Sequence, residues 1–127
     1  SPLYSKIFPV SELENVMKKS DIIILTLPLT DKTKKIVNAD NLKRAKNGAV
    51  IVNISRGGVL DTEALIASLN SNLKGAVLDV FEDEPLPSSS PLWRMENVII
   101  TPHNAFVGDG NEKRLENIIL SNLKKYG

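Results

Sequence analysis

The chain has 127 residues, 42% of them hydrophobic, which is enough for one domain with its own core, and sixteen Lys and Arg against fifteen Asp and Glu leave a net charge of +1. The basic residues are scattered rather than gathered into a stripe, which argues against nucleic acid as a partner. The absence of cysteine rules out a disulfide framework and a thiolate metal site, and the longest apolar runs, such as Ile22 to Leu25, are too short to cross a bilayer.

A cytoplasmic protein with no membrane partner is the resulting expectation. Ser1-Pro2-Leu3-Tyr4 has neither the basic start nor the apolar run of a signal peptide, and the missing initiator Met suggests a trimmed chain.

In chain order, Ser11-Glu12-Leu13-Glu14 reads as a capping box opening a short helix that runs to about Lys19. Ile22 to Leu27 is a continuous β-branched run ended by Pro28, the pattern of a strand buried on both faces of a parallel sheet. Asn38 can cap a second helix ending near Asn47-Gly48, with Gly48 as its stop. A second buried strand, Ala49 to Asn53, breaks at Ser55-Arg56-Gly57-Gly58. Asp61 is placed to cap a third helix, with Leu65, Ile66 and Leu69 on one face, that stops around Asn72.

Gly75 to Leu78 is the third strand, the proline- and serine-rich stretch from Asp79 to Pro91 a long loop, and Asn97 to Ile100 the fourth strand. Beyond Thr101-Pro102-His103 and a loop of small residues, Leu115, Ile118, Ile119 and Leu123 mark the buried side of a final amphipathic helix. Short strands alternating with helices predict the α/β class: a doubly wound parallel sheet with helices on both faces.

Ligands of such sheets bind beyond the carboxyl ends of the strands. The segments that follow the four strands are Pro28-Leu29-Thr30, Ser55 to Gly58, Asp79 to Pro85 and Pro102 to Ala105. Together they bring one Arg, several carboxylates and the only His of the chain to one edge, the ingredients of proton transfer on an anionic substrate. Taken singly, Arg56 reads as a loop cation, Glu84 as a surface charge, His103 as a structural hydrogen-bonding residue and Asp79 as a turn cap; it is their joint placement that points to a site. A single His without Cys does not supply a metal site, so none is expected.

Three ordered motifs, Asn53 to Asp61, Leu78 to Leu86 and Asn97 to His103, resemble the D-isomer-specific 2-hydroxyacid dehydrogenase family, with the resemblance running from about Asp21 to the end. That resemblance implies a partial Rossmann-like sheet and an NAD-dependent oxidoreductase that transfers a hydride to a small 2-keto acid or from a 2-hydroxy acid. It implies that Arg56 binds the substrate carboxylate and carbonyl oxygen through its planar fork, that His103 is the acid/base, and that Glu84 hydrogen-bonds the imidazole and fixes its orientation. It further implies that Asp79 holds the nicotinamide carboxamide, that Leu27, Pro28, Ile54 and Ser55 line the cofactor, that Thr33 reaches its phosphates or ribose, and that Asn104 and Ala105 contribute to the nicotinamide site.

The family's Gly-x-Gly-x-x-Gly loop is not in the chain, since Gly57-Gly58 and Gly108-Asp109-Gly110 have the wrong spacing. Residues 1–127 are therefore expected to be the C-terminal part of an NAD-binding domain, without the glycine-rich first βαβ unit and without the substrate domain. The cofactor implied is NAD. The residue that would discriminate NADP lies outside this chain, and a homodimer is expected of the full-length protein. A non-catalytic NAD-sensing interaction module of the same family is the alternative reading.

Overall fold

The computed structural model describes residues 5–126; the signal-peptide reading at Ser1 to Tyr4 lies outside them. A 3-10 turn at Val10–Glu12 leads into helix α1 (Leu13–Met17), followed by β1 (Ile22–Leu25), α2 (Ala39–Lys43), β2 (Val50–Asn53), α3 (Thr62–Leu69), β3 (Gly75–Leu78), β4 (Val98–Ile100) and α4 (Asn111–Tyr126). The four strands form one parallel sheet in the order β1-β2-β3-β4, with Leu25 opposite Asn53 and Asn53 opposite Leu78. The fold is α/β and Rossmann-like, as expected, but the packed helices lie on one side of the sheet rather than on both faces.

The strand order decides which face is covered. Parallel crossovers share one hand, so an order that never reverses sends every connection to the same side of the sheet. Ile51, Leu25, Ala76 and Leu78 accordingly pack with Met17 of α1, Leu42 of α2 and Leu65 and Leu69 of α3 in one buried cluster. The register places Ile22, Ile24, Val52, Val77 and Ile99 on the other side, where Ile22, Ile24 and Ile99 are 62%, 57% and 62% exposed. This departs from the expectation that the β1 run is buried on both faces. The strand also stops at Leu25 rather than Leu27, because its partner β2 ends at Asn53.

Two helix caps form as predicted. Asn38 accepts from the backbone N–H of Asp40 and Asn41, and Asn41 answers in a reciprocal capping box; Asp61 accepts from the N–H of Ala64 at 3.0 Å. Helix α2 ends earlier than expected, at Lys43, and Gly48 takes a positive φ of 81° in the turn before β2.

The predicted Ser11–Glu14 box does not form. The chain enters through Pro9 into the 3-10 turn, which already contains Ser11, and the Glu14 carboxylate turns instead to Lys18 at 2.6 Å and Arg44 at 2.8 Å. Nor is the apolar side of α4 buried: Leu115, Ile118, Ile119 and Leu123 are 59%, 59%, 49% and 62% exposed. Its stripe has helical spacing, but among the described residues nothing packs over it.

Candidate functional site

The sheet's ladder continues past the strand ends on the carboxyl edge. The N–H of Asp79 donates to Asn53 O, and the N–H of Thr101 donates to Leu78 O. The ends of β2, β3 and β4 are therefore fixed to one another before their loops begin. From this platform three short polar side chains reach into those loops.

The first is Asn53, 1% exposed. Its Oδ1 accepts from the Ser55 N–H and hydroxyl at 3.1 and 2.9 Å, and its Nδ2 donates to Arg56 O at 3.1 Å. The turn that carries Arg56 is thus tied to the end of its own strand. Gly57 follows at a seam: a Cβ there would lie 1.9 Å from the Phe81 carbonyl and 2.4 Å from Glu82 N, so only glycine lets this turn abut the loop after β3. Arg56 itself is exposed and folds one arm back, its Nη1 donating to Ser55 O at 2.6 Å.

Asp79, 3% exposed, is the second. Its Oδ1 accepts from the Thr101 hydroxyl at 2.5 Å and the Asn104 N–H at 2.9 Å, and its Oδ2 accepts from the Ala105 N–H at 3.0 Å. Burial by itself pushes this carboxyl up, but the donors Thr101, Ala105 and Asn104, helped by the nearby His103, outweigh it and hold Asp79 below the usual aspartate value. Thr101 is the third of the reaching side chains. It stands two residues before His103, whose backbone lies in the left-handed region at φ 52°.

His103 and Glu84 meet outside this buried layer. Nδ1 lies 2.7 Å from Glu84 Oε2, while Glu84 Oε1 accepts from the Phe81 N–H at 2.9 Å. The hydrogen bond from His103 lowers the pKa of Glu84; desolvation opposes it, and the Phe81 N–H reinforces it. With Glu84 ionised, the short contact requires the proton on Nδ1, which leaves Nε2 as the nitrogen free to serve a ligand.

Arg56, Glu84 and His103 all line one cleft of about 930 Å³, together with Gly58, Phe81 and Leu86. Arg56 also walls an adjoining hollow of about 540 Å³ formed by Thr26 to Leu29, Ile54 and Ser55. Seven of the sequence-predicted residues therefore fall into two neighbouring groups that share Arg56, whereas Thr33, Asp79, Asn104 and Ala105 line neither. Leu27 and Ile54 are exposed there, at 36% and 45%, while Ser55 is buried and occupied with Asn53. Thr33 is likewise engaged within its own loop, donating to Pro28 O at 2.6 Å and accepting from the Thr30 N–H. Asn104 and Ala105 present their backbone N–H groups to Asp79.

Asn53 and Thr101 are the residues that sequence reasoning did not single out. Their signal is faint but physical: a polar residue ending an apolar strand, one residue removed from Ser-Arg in one case and directly before Pro-His in the other. Among the described residues no cluster of three His, Asp or Glu is arranged to hold a metal ion, and no helix is long and apolar enough to cross a membrane.

Residues 3–105 match the family model described as "D-isomer specific 2-hydroxyacid dehydrogenase, NAD binding domain". Among curated proteins, the chain is 39% identical over 114 residues to a glyoxylate reductase of Thermofilum pendens, covering 89% of this chain and 34% of that protein. Among solved structures, a D-isomer specific 2-hydroxyacid dehydrogenase family protein from Aeromonas salmonicida superposes with a TM-score of 0.85 at 33% identity, over 97% of this chain and 39% of the other. A D-isomer specific 2-hydroxyacid dehydrogenase from Xanthobacter autotrophicus Py2, solved in complex with NADPH and MES, superposes with a TM-score of 0.71 at 47% identity, over 73% and 30%. The chain spans 40% and 34% of the length of the first two curated relatives it matches.

Proposed function

The chain belongs to the D-isomer-specific 2-hydroxyacid dehydrogenase family through its NAD-binding domain, and from that premise we propose that it is the C-terminal part of that domain in an oxidoreductase that interconverts a small 2-keto acid and its 2-hydroxy acid. The observation that carries the reading is the His103–Glu84 pair at 2.7 Å in the same cleft as Arg56. An imidazole with Nδ1 held by a carboxylate and Nε2 free can give a proton to a carbonyl oxygen and take it back. A guanidinium facing the same space can bind a carboxylate through two parallel N–H groups.

The hollow beside Arg56 suits a nicotinamide ring in its chemistry: it has exposed apolar edges at Leu27 and Ile54 and is lined as well by Pro28 and Ser55. When bound, that cofactor supplies the hydride. Leu27, Pro28, Ile54 and Ser55 would hold it, while Arg56 anchors and polarises the substrate and His103 moves the proton. NAD(H) is the cofactor proposed, and the related dehydrogenase solved with NADPH extends the reading to NADP(H).

Turnover needs donor and acceptor carbons held in reacting geometry, an effect of roughly 7–11 kcal/mol in well-oriented systems. The chain offers no glycine-rich turn at a helix N-terminus for the pyrophosphate, so we propose that it is inactive on its own. The test compares NADH oxidation by the 127-residue chain and by the full-length protein across a panel of 2-keto acids including glyoxylate and pyruvate. Full-length turnover that vanishes in His103→Asn supports the enzyme. NADH binding with no turnover on any 2-keto acid would favour the NAD-sensing module instead, and parent-like turnover by the isolated chain would overturn its proposed inactivity.

A further inference from the structure

The proton-transfer reading assigns His103 its chemistry but leaves open what holds it in place. His103 is one of two described non-glycine residues with positive φ, at 52°. A β-carbon is disfavoured there, and such a backbone persists where its surroundings over-determine it. Glu84 grips only the ring. The backbone is gripped from the other side.

On the N-terminal flank, Thr101 is locked into the sheet by its N–H to Leu78 O and donates its hydroxyl to Asp79 Oδ1; the His103 N–H then closes back on Thr101 O at 3.1 Å. On the C-terminal flank, the next two N–H groups, of Asn104 and Ala105, both donate to the same carboxylate. One buried side chain therefore ties residues 101, 104 and 105 together, and the loop between those ties must turn through His103.

We infer that Asp79, with Thr101 as its partner, is the positioning device for His103, a clamp that fixes the left-handed turn from which the imidazole reaches the cleft. An ionised carboxylate offers about four acceptor positions, and the clamp uses three. A carboxamide N–H of a cofactor can take at most the one remaining on Oδ2. Asparagine cannot replace Asp79, because its amide nitrogen would face one of the donors. Thr101→Val keeps the shape but removes the hydroxyl, and Thr101→Ser restores it.

The inference rests on the proposed role of His103 for its functional meaning, but the clamp can be judged without turnover. In NMR spectra of the 127-residue chain, Asp79→Asn and Thr101→Val should move the His103 Cα and Cβ shifts away from left-handed values and speed amide exchange at Asn104 and Ala105 by about tenfold or more, with β2 amides unchanged. Thr101→Ser should return both to the parent values. In the full-length enzyme, Thr101→Val should lower kcat on the keto acid by on the order of tenfold while leaving KM for NADH within twofold, with Ser rescuing.

Unchanged His103 shifts and unchanged exchange in both variants would overturn the clamp. A selective rise in KM for NADH at constant kcat would overturn it in favour of a direct cofactor contact. Absence of turnover in the parent enzyme would instead count against the oxidoreductase reading, with the NMR result still deciding the clamp.

Discussion

The two sides of the sheet are built from the same residue types and have opposite fates. Ile51 on the covered side is fully buried, while Ile24, one strand away on the other side, is 57% exposed. Residue type does not distinguish them; strand order does, because connections that all advance in one direction fill only one side. The loops repeat the contrast. Those leaving β2 and β3 are knitted by buried polar side chains, whereas the segment leading to α4 delivers a helix whose apolar stripe meets nothing described.

Substitutions can test this contrast, and the largest effect is expected at the seam. Gly57→Ala places a methyl inside the Phe81–Glu82 backbone and should destabilise the fold by more than about 3 kcal/mol, beyond the usual cost of overpacking because backbone cannot rotate away. Urea unfolding would measure it, and a loss under about 1 kcal/mol would mean that the two loops separate easily. Next comes the comparison of faces itself. Ile51→Ala should cost about 2–5 kcal/mol, as buried aliphatic truncations do, and Ile24→Ala well under about 1 kcal/mol; equal losses would show that the second face is covered in solution.

Asn53→Ala should cost about 1–3 kcal/mol, since it leaves the Ser55 N–H and Arg56 carbonyl without their partner. The pH response is smaller still. Asp79 has a depressed pKa, so the stability it adds is present above its unfolded value and is lost as pH falls through the folded one. Below about pH 4 the wild type should therefore lose stability more steeply than Asp79→Asn, as read from urea midpoints at pH 3 and pH 6. The least effect belongs to the exposed ion pair of Glu14 with Lys18 and Arg44: Glu14→Gln should leave Tm unchanged within measurement.

What was legible in the sequence was whatever depends on neighbours along the chain. The caps at Asn38 and Asp61, the strand Gly75 to Leu78 and the strand-end placement of Arg56, Glu84 and His103 all follow from short motifs. What depends on packing was not. A run such as Ile22 to Leu27 reads the same whether one face or two are covered, and the α4 stripe has the same period whether or not a partner lies against it. Asn53 and Thr101 are hard to read from sequence because their importance comes from partners across the turn and, for Thr101, across 22 residues of sequence. The Ser11 box failed because Pro9 had already set the direction of entry.

The uncovered face has a practical side as well. Ile22, Ile24 and Ile99, together with the stripe of α4, leave a broad hydrocarbon surface in contact with water, and a net charge of +1 supplies almost no repulsion between molecules. For this chain by itself, association through that surface should therefore grow with concentration. Sulfate, by strengthening apolar association, should cloud it sooner than chloride at the same ionic strength.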